Sequence, residues 1–139
     1  MNEAGNVTLP MVLARLALSA VLGSAIGYAQ RLRHRVIGVT GMLLVAVGST
    51  GFLLLARHLA LVDPTAVSRA FQTSLLVISL LSGAVVLTGG TNELRIKTAA
   101  AVWMTGAVGL AIATAFWWLG AVTGIATMVI LFLTDRAQA

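Results

Sequence analysis

From Thr98 to Thr134 the chain runs for 37 residues without a charged side chain. A single helix of that length would measure about 55 Å at 1.5 Å per residue. The hydrocarbon core of a bilayer is about 30 Å thick. The run therefore reads as two membrane spans. Its clearest internal punctuation is Trp117-Trp118-Leu119-Gly120. Tryptophan is enriched where membrane meets water, so a tight turn is expected near Gly120, between spans at 98–117 and 121–135. One span followed by a re-entrant or surface helix is the alternative at this stage.

Three further spans precede this run. Leu9 to Ala29 is apolar apart from Arg15, and Ile37 to Ala56 carries no charge. The third apolar run, Thr73 to Thr88, is short for a crossing, but Asp63-Pro64 lies upstream. Aspartate accepts bonds from the free N–H groups of a helix start, and proline suits the first helical position. The third span then covers 66–88. Only 9% of the residues are charged, where a soluble domain carries about 25%. The expectation is all-α: one membrane domain over residues 1–139, a bundle of five transmembrane helices. A cleaved signal peptide is not expected. No basic residue precedes the first apolar run, and Arg15 interrupts it.

The net charge of +5 could suggest nucleic acid in a soluble chain, but here the basic residues lie between spans. Arg31, Arg33 and Arg35 fall in the first connection, Arg95 and Lys97 in the third, and Arg136 follows the fifth span. With five crossings these share one side, leaving Arg57 and Arg69 on the other. The positive-inside rule then puts the N-terminus outside and the C-terminus in the cytoplasm. Arg31, Arg33, Arg35, Arg95 and Lys97 are thus expected to set topology and to meet lipid headgroups. No nucleic-acid partner is expected.

Lipid tails are as apolar as leucine, so helices associate in a bilayer through close packing at small residues and through hydrogen bonds. Such stripes occur at Ser19, Gly23 and Gly27, at Ala101, Thr105 and Gly109, and at Gly120 and Gly124. They predict tight contacts along spans one, four and five, within one chain or between copies.

Candidates for chemistry are sparse. Glu3, Asp63, Glu93 and Asp135 are the acidic residues, all at or beyond span ends. Ion and proton paths through membranes use intramembrane carboxylates or histidines. His34 and His58 fall on opposite sides of the second span and cannot share a metal. There is no cysteine and no Gly-rich phosphate loop. No catalytic residue, cofactor or metal site is expected. Arg15 is the one charge inside a span. It either snorkels to the headgroups or turns into the bundle to meet backbone carbonyls or Gln72, with Arg15–Gln72 the leading candidate for a buried polar contact.

Several segments together resemble the membrane domain of the MgtC/SapB family. RLALSAVLGSAIGYAQR (15–31) is similar to the family's first span, and GVTGMLLVAVGS (38–49) to its second. Asp63-Pro64, Arg69 and Gln72 match the approach to the third. KTAAAVWMTGAVGLA (97–111) is similar to the family's Thr-Thr-Ala-Ala-x-x-Trp-x-Thr-x-x-x-Gly-Leu segment. Polar signature positions depart from the family. Its glutamate after the first span is replaced in the Ala29-Gln30 region. Thr40, Gly41 and Met42 stand for Arg, Thr and His, only Gly83 is kept from a glycine-rich third span, and Lys97 stands for Thr.

The resemblance implies a five-span, non-enzymatic protein of the bacterial inner membrane, tied to stress or low-magnesium adaptation and acting by binding other membrane proteins. An accessory or regulatory subunit is one form of this, and self-association another. A small Mg²⁺ transporter or channel, lined by hydroxyls such as Ser79, Ser82 and Thr105, is the alternative.

Overall fold

In the computed structural model, which describes residues 7–31, 37–88 and 92–137, the secondary structure is entirely helical. The helices are α1 (Leu9–Arg31), α2 (Val39–Leu59), α3 (Ala66–Thr88), α4 (Asn92–Ala113) and α5 (Trp117–Ala137). All five are long and apolar enough to cross a membrane. Arg33 and Arg35, with His34 and Glu3, lie outside the described residues.

The helices start and stop for local reasons. The Asp63 carboxylate accepts from the backbone N–H of Thr65 at 2.9 Å and from its hydroxyl at 2.7 Å, which orders the entry to α3. Glu93 sits in the first turn of α4, where the helix dipole favours an anion, and it pairs with Lys97 at 2.7 Å one turn on. Arg95 and Lys97 are thus helical, not part of a loop. α4 begins six residues before the expected start at residue 98.

The turn in the long apolar run also lies earlier than expected. α4 ends at Ala113 and α5 opens with Trp117, so the tryptophan pair begins a helix rather than ending one. Thr114 makes the corner. Its hydroxyl donates to the Ala111 carbonyl at 2.7 Å and accepts from the Phe116 N–H at 3.2 Å. Gly120 is helix interior, and its bareness serves packing. A methyl group there would lie 2.7 Å from Ile112 Cγ1 and 3.0 Å from the Val108 carbonyl oxygen.

α4 is the centre of the bundle. It touches each of the other four helices, which meet in the order α5, α1, α2, α3 around it. Among the described residues α3 and α5 share no contact, so the ring is open between them. Most of the α4 span is buried, while the other four stay largely exposed, as helices bathed in lipid do.

Small residues let three backbones converge on Ala46 of α2. A methyl on Gly23 of α1 would lie 2.7 Å from Ala46 Cβ, and one on Gly109 of α4 would lie 2.5 Å from its carbonyl oxygen. Gly27 meets Val39 in the same way, and Gly124 meets Leu22 and Val108. Next to this crossing the Thr50 hydroxyl is 2.9 Å from the Ala46 carbonyl and 2.8 Å from that of Gly109. It ties α2 to α4 by an interhelical bond of the kind that averages about 0.6 kcal/mol in membranes.

Candidate functional site

Arg15 and Arg57, on different helices, converge on the end of a third. Arg15 Nη1 donates to the carbonyls of Ile112 at 3.2 Å and Ala113 at 2.7 Å, and also to that of Thr114. Arg57 Nη1 reaches the same Ala113 oxygen at 2.7 Å. The last carbonyls of a helix have no intrahelical partner and carry the negative end of its dipole. Two guanidinium groups there satisfy carbonyls that hydrocarbon could not. They also fasten α1 and α2 to the end of α4.

Arg15 therefore takes the backbone-carbonyl route and does not pair with Gln72. The reason is topological: α4 stands between α1 and α3, which share no contact among the described residues, and Gln72 is exposed on α3. The role of Arg57 is one that sequence reasoning missed. In sequence it looks like a charge in a connection, yet α2 runs on to Leu59 and includes it.

The other singled-out residues sort by place. Ser19, Ala101 and Thr105 are buried. Ser19 donates to the Leu16 carbonyl at 2.9 Å, and Thr105 to that of Ala101 at 2.7 Å, with Met42 Sδ at 3.5 Å. With Gly23, Gly27, Gly109, Gly120 and Gly124 they line helix crossings. Arg95 reaches the Val86 carbonyl of α3 at 3.4 Å. Arg31 is the last residue of α1. Asp63 and Glu93 lie near helix ends with largely exposed carboxylates. The bonds from Thr65 hold the Asp63 carboxyl below its ordinary range. Among the described residues no three His, Asp or Glu side chains come together. The burial of Gln30 was not foreseen: it is fully buried, and its amide has no partner among the described residues.

The opening between α3 and α5 exposes one stripe of α4. Ile96, Ala100 and Trp103 are exposed there, and Ala107 is half-buried. Trp103 is 46% exposed and lies about 15 Å from the end of α4 by helix rise, near mid-membrane. Its indole N–H has no acceptor among the described residues. On the α5 side, Ala100, Met104, Thr127, Ile130 and Thr134 help line a cavity of about 240 Å³. The stripe is thus an open groove, with Ala100 and Ala107 along its floor and Trp103 halfway down.

An all-helical, multi-pass membrane protein is what this fold and these polar contacts define. The chain belongs to the MgtC family, whose model matches residues 16–139. It is 25% identical over 129 residues to the "Putative magnesium transporter YhiD" of Escherichia coli (strain K12), covering 86% of this chain and 58% of that protein. It is 32% identical over 98 residues to "Protein MgtC" of Brucella abortus (strain 2308), covering 70% of this chain and 40% of the other. The chain thus spans less than two thirds of the length of these relatives. No solved structure matches it significantly.

Proposed function

We propose that this chain is a non-enzymatic protein of the bacterial cytoplasmic membrane that acts by binding another membrane protein, as an accessory or regulatory subunit in adaptation to stress or Mg²⁺ limitation. Its N-terminus lies outside and its C-terminus in the cytoplasm. The observation that carries this reading is Trp103. Tryptophan prefers the membrane interface, where its N–H finds a partner. Here one stands near mid-depth, in a groove where Ala100 and Ala107 allow close backbone approach. A transmembrane helix with a small-residue face and a hydrogen-bond acceptor at that depth fits both features.

A photo-crosslinking side chain at Ala100 or Ala107, activated in native membranes, tests this. One defined protein adduct is expected, absent when the crosslinker stands at lipid-facing Leu80 and lost on Trp103→Leu. Adducts to lipid alone, or the same pattern from Leu80, would refute it. An adduct of twice the chain's own mass would make the partner a second copy.

The printed name of the E. coli relative favours a second reading, transport of Mg²⁺. Purified protein in liposomes separates the two: saturable Mg²⁺ flux would replace the binding role.

A further inference from the structure

The seam between α2 and α3 is not fully closed. Two cavities of about 230 Å³ each lie along it, and both are lined by Phe52 and Thr73. They adjoin at these two residues and line up along the seam as the outer and inner parts of a cleft. Its outer part reaches Leu59 and Arg69 at the helix ends, and its inner part reaches Gly48 and Val77. From Leu59 to Gly48 the helix rises about 16 Å. At the inner end a methyl group on Gly48 would meet nothing within 4 Å. α2 and α3 touch each other, so the cleft is too narrow for a helix about 10 Å across.

Its lining carries a chemical order. Arg69 stands at the mouth with its side chain 76% exposed, held only by Asp63 at 3.9 Å. Five residues deeper lies Ser74, 6% exposed, whose hydroxyl has no partner among the described residues. Ser74 is the exception among the buried hydroxyls of the described residues. Ser19, Thr50, Ser82, Thr98, Thr105 and Thr127 all donate to a backbone carbonyl three or four residues back. Below Ser74 the walls are Phe52, Val77 and the bare face of Gly48. Five residues, about 7.5 Å of helix, separate Arg69 from Ser74. From the surface inward the order is cation, hydroxyl donor, apolar slot. A phospholipid presents the complement in the same order: phosphate, ester carbonyl, acyl chain.

We propose that the α2–α3 cleft holds one phospholipid, its phosphate at Arg69, an ester carbonyl accepting from Ser74, and one acyl chain passing Phe52 into the space beside Gly48. An anionic headgroup is preferred, because the Arg69 charge is only loosely matched by Asp63.

Native mass spectrometry of the whole chain in detergent, exchanged free of lipid, tests this. Phosphatidylglycerol and phosphatidylcholine with identical chains are the probes. Wild type is expected to bind one phosphatidylglycerol in preference to phosphatidylcholine. Gly48→Leu fills the slot and should weaken binding by about tenfold or more. Ser74→Ala should weaken it by about fivefold, and Arg69→Gln should erase the preference between the lipids. Because Gly48 faces open space, its variant should keep wild-type helicity; if it does not fold, Ser74→Ala decides the matter. Unchanged binding by Ser74→Ala, or displacement of the lipid by millimolar inorganic phosphate, would overturn the proposal.

Discussion

Gly109→Ala and Gly48→Ala place the same methyl group in the middle of a helix, and they should move stability in opposite directions. At Gly109 the methyl would lie 2.5 Å from the Ala46 carbonyl oxygen and 3.0 Å from Ser49 Cβ. That is roughly 1 Å inside an ordinary contact. The obstacle is the backbone of α2, which cannot rotate aside, so α2 and α4 must part. Overpacking of this kind costs about 1–3 kcal/mol. Parting also strains the bond from Thr50 to the Gly109 carbonyl, worth about 0.6 kcal/mol. Alanine returns about 1 kcal/mol through helix propensity, leaving a net loss of about 0.6–2.6 kcal/mol. At Gly48 nothing stands within 4 Å, and only the propensity gain of about 0.5–1 kcal/mol remains. Equilibrium unfolding in mixed micelles, followed by tryptophan fluorescence, measures both. Shifts of the same sign, or a stabilised Gly109→Ala, would refute the assignment of this glycine to a backbone crossing.

Replacing Arg15 or Arg57 by Gln should each destabilise the bundle by about 1.5–3 kcal/mol, the range for hydrogen bonds from charged groups. Because both donate to Ala113, a double-mutant cycle in the same micelles should be non-additive; simple additivity would separate the two roles. A cysteine in place of Arg33 should react with an impermeant reagent only from the cytoplasmic side, and labelling of intact cells from outside would invert the topology. Asp63 has a depressed folded pKa, so its contribution is present above the ordinary carboxylate value and is lost as pH falls through the depressed one. Protection from hydrogen exchange at the start of α3, taken relative to the intrinsic rate at each pH, should fall on acidification below about pH 4, and Asp63→Asn should flatten that dependence.

Span number and helix character were legible because hydrocarbon thickness imposes them on composition. Asp63-Pro64 marked the entry to α3, and the stripe through Gly23 and Gly27 lies along the α1–α2 crossing. The α4–α5 corner was misplaced because an uncharged run offers few marks. Gly120 signals a turn and a close crossing equally well, and only the fold shows that it packs on Ile112. Gly106, against Ile78 of α3, falls outside the four-residue stripe of Gly109 and was passed over. Arg57 and the groove at Trp103 share a deeper difficulty. What matters there is which helices touch and which do not, and no local pattern records that.

The position of α4 also constrains how the molecule is made. It is fourth in order of synthesis, yet every other helix leans on it. α1 and α2 can pair as they leave the translocon, but α3 then has only α2 for company, along the seam that keeps a cleft. Until residues 92–113 are inserted, the nascent chain is a set of helices around an empty axis. That interval is when membrane proteases and insertion chaperones have most to hold.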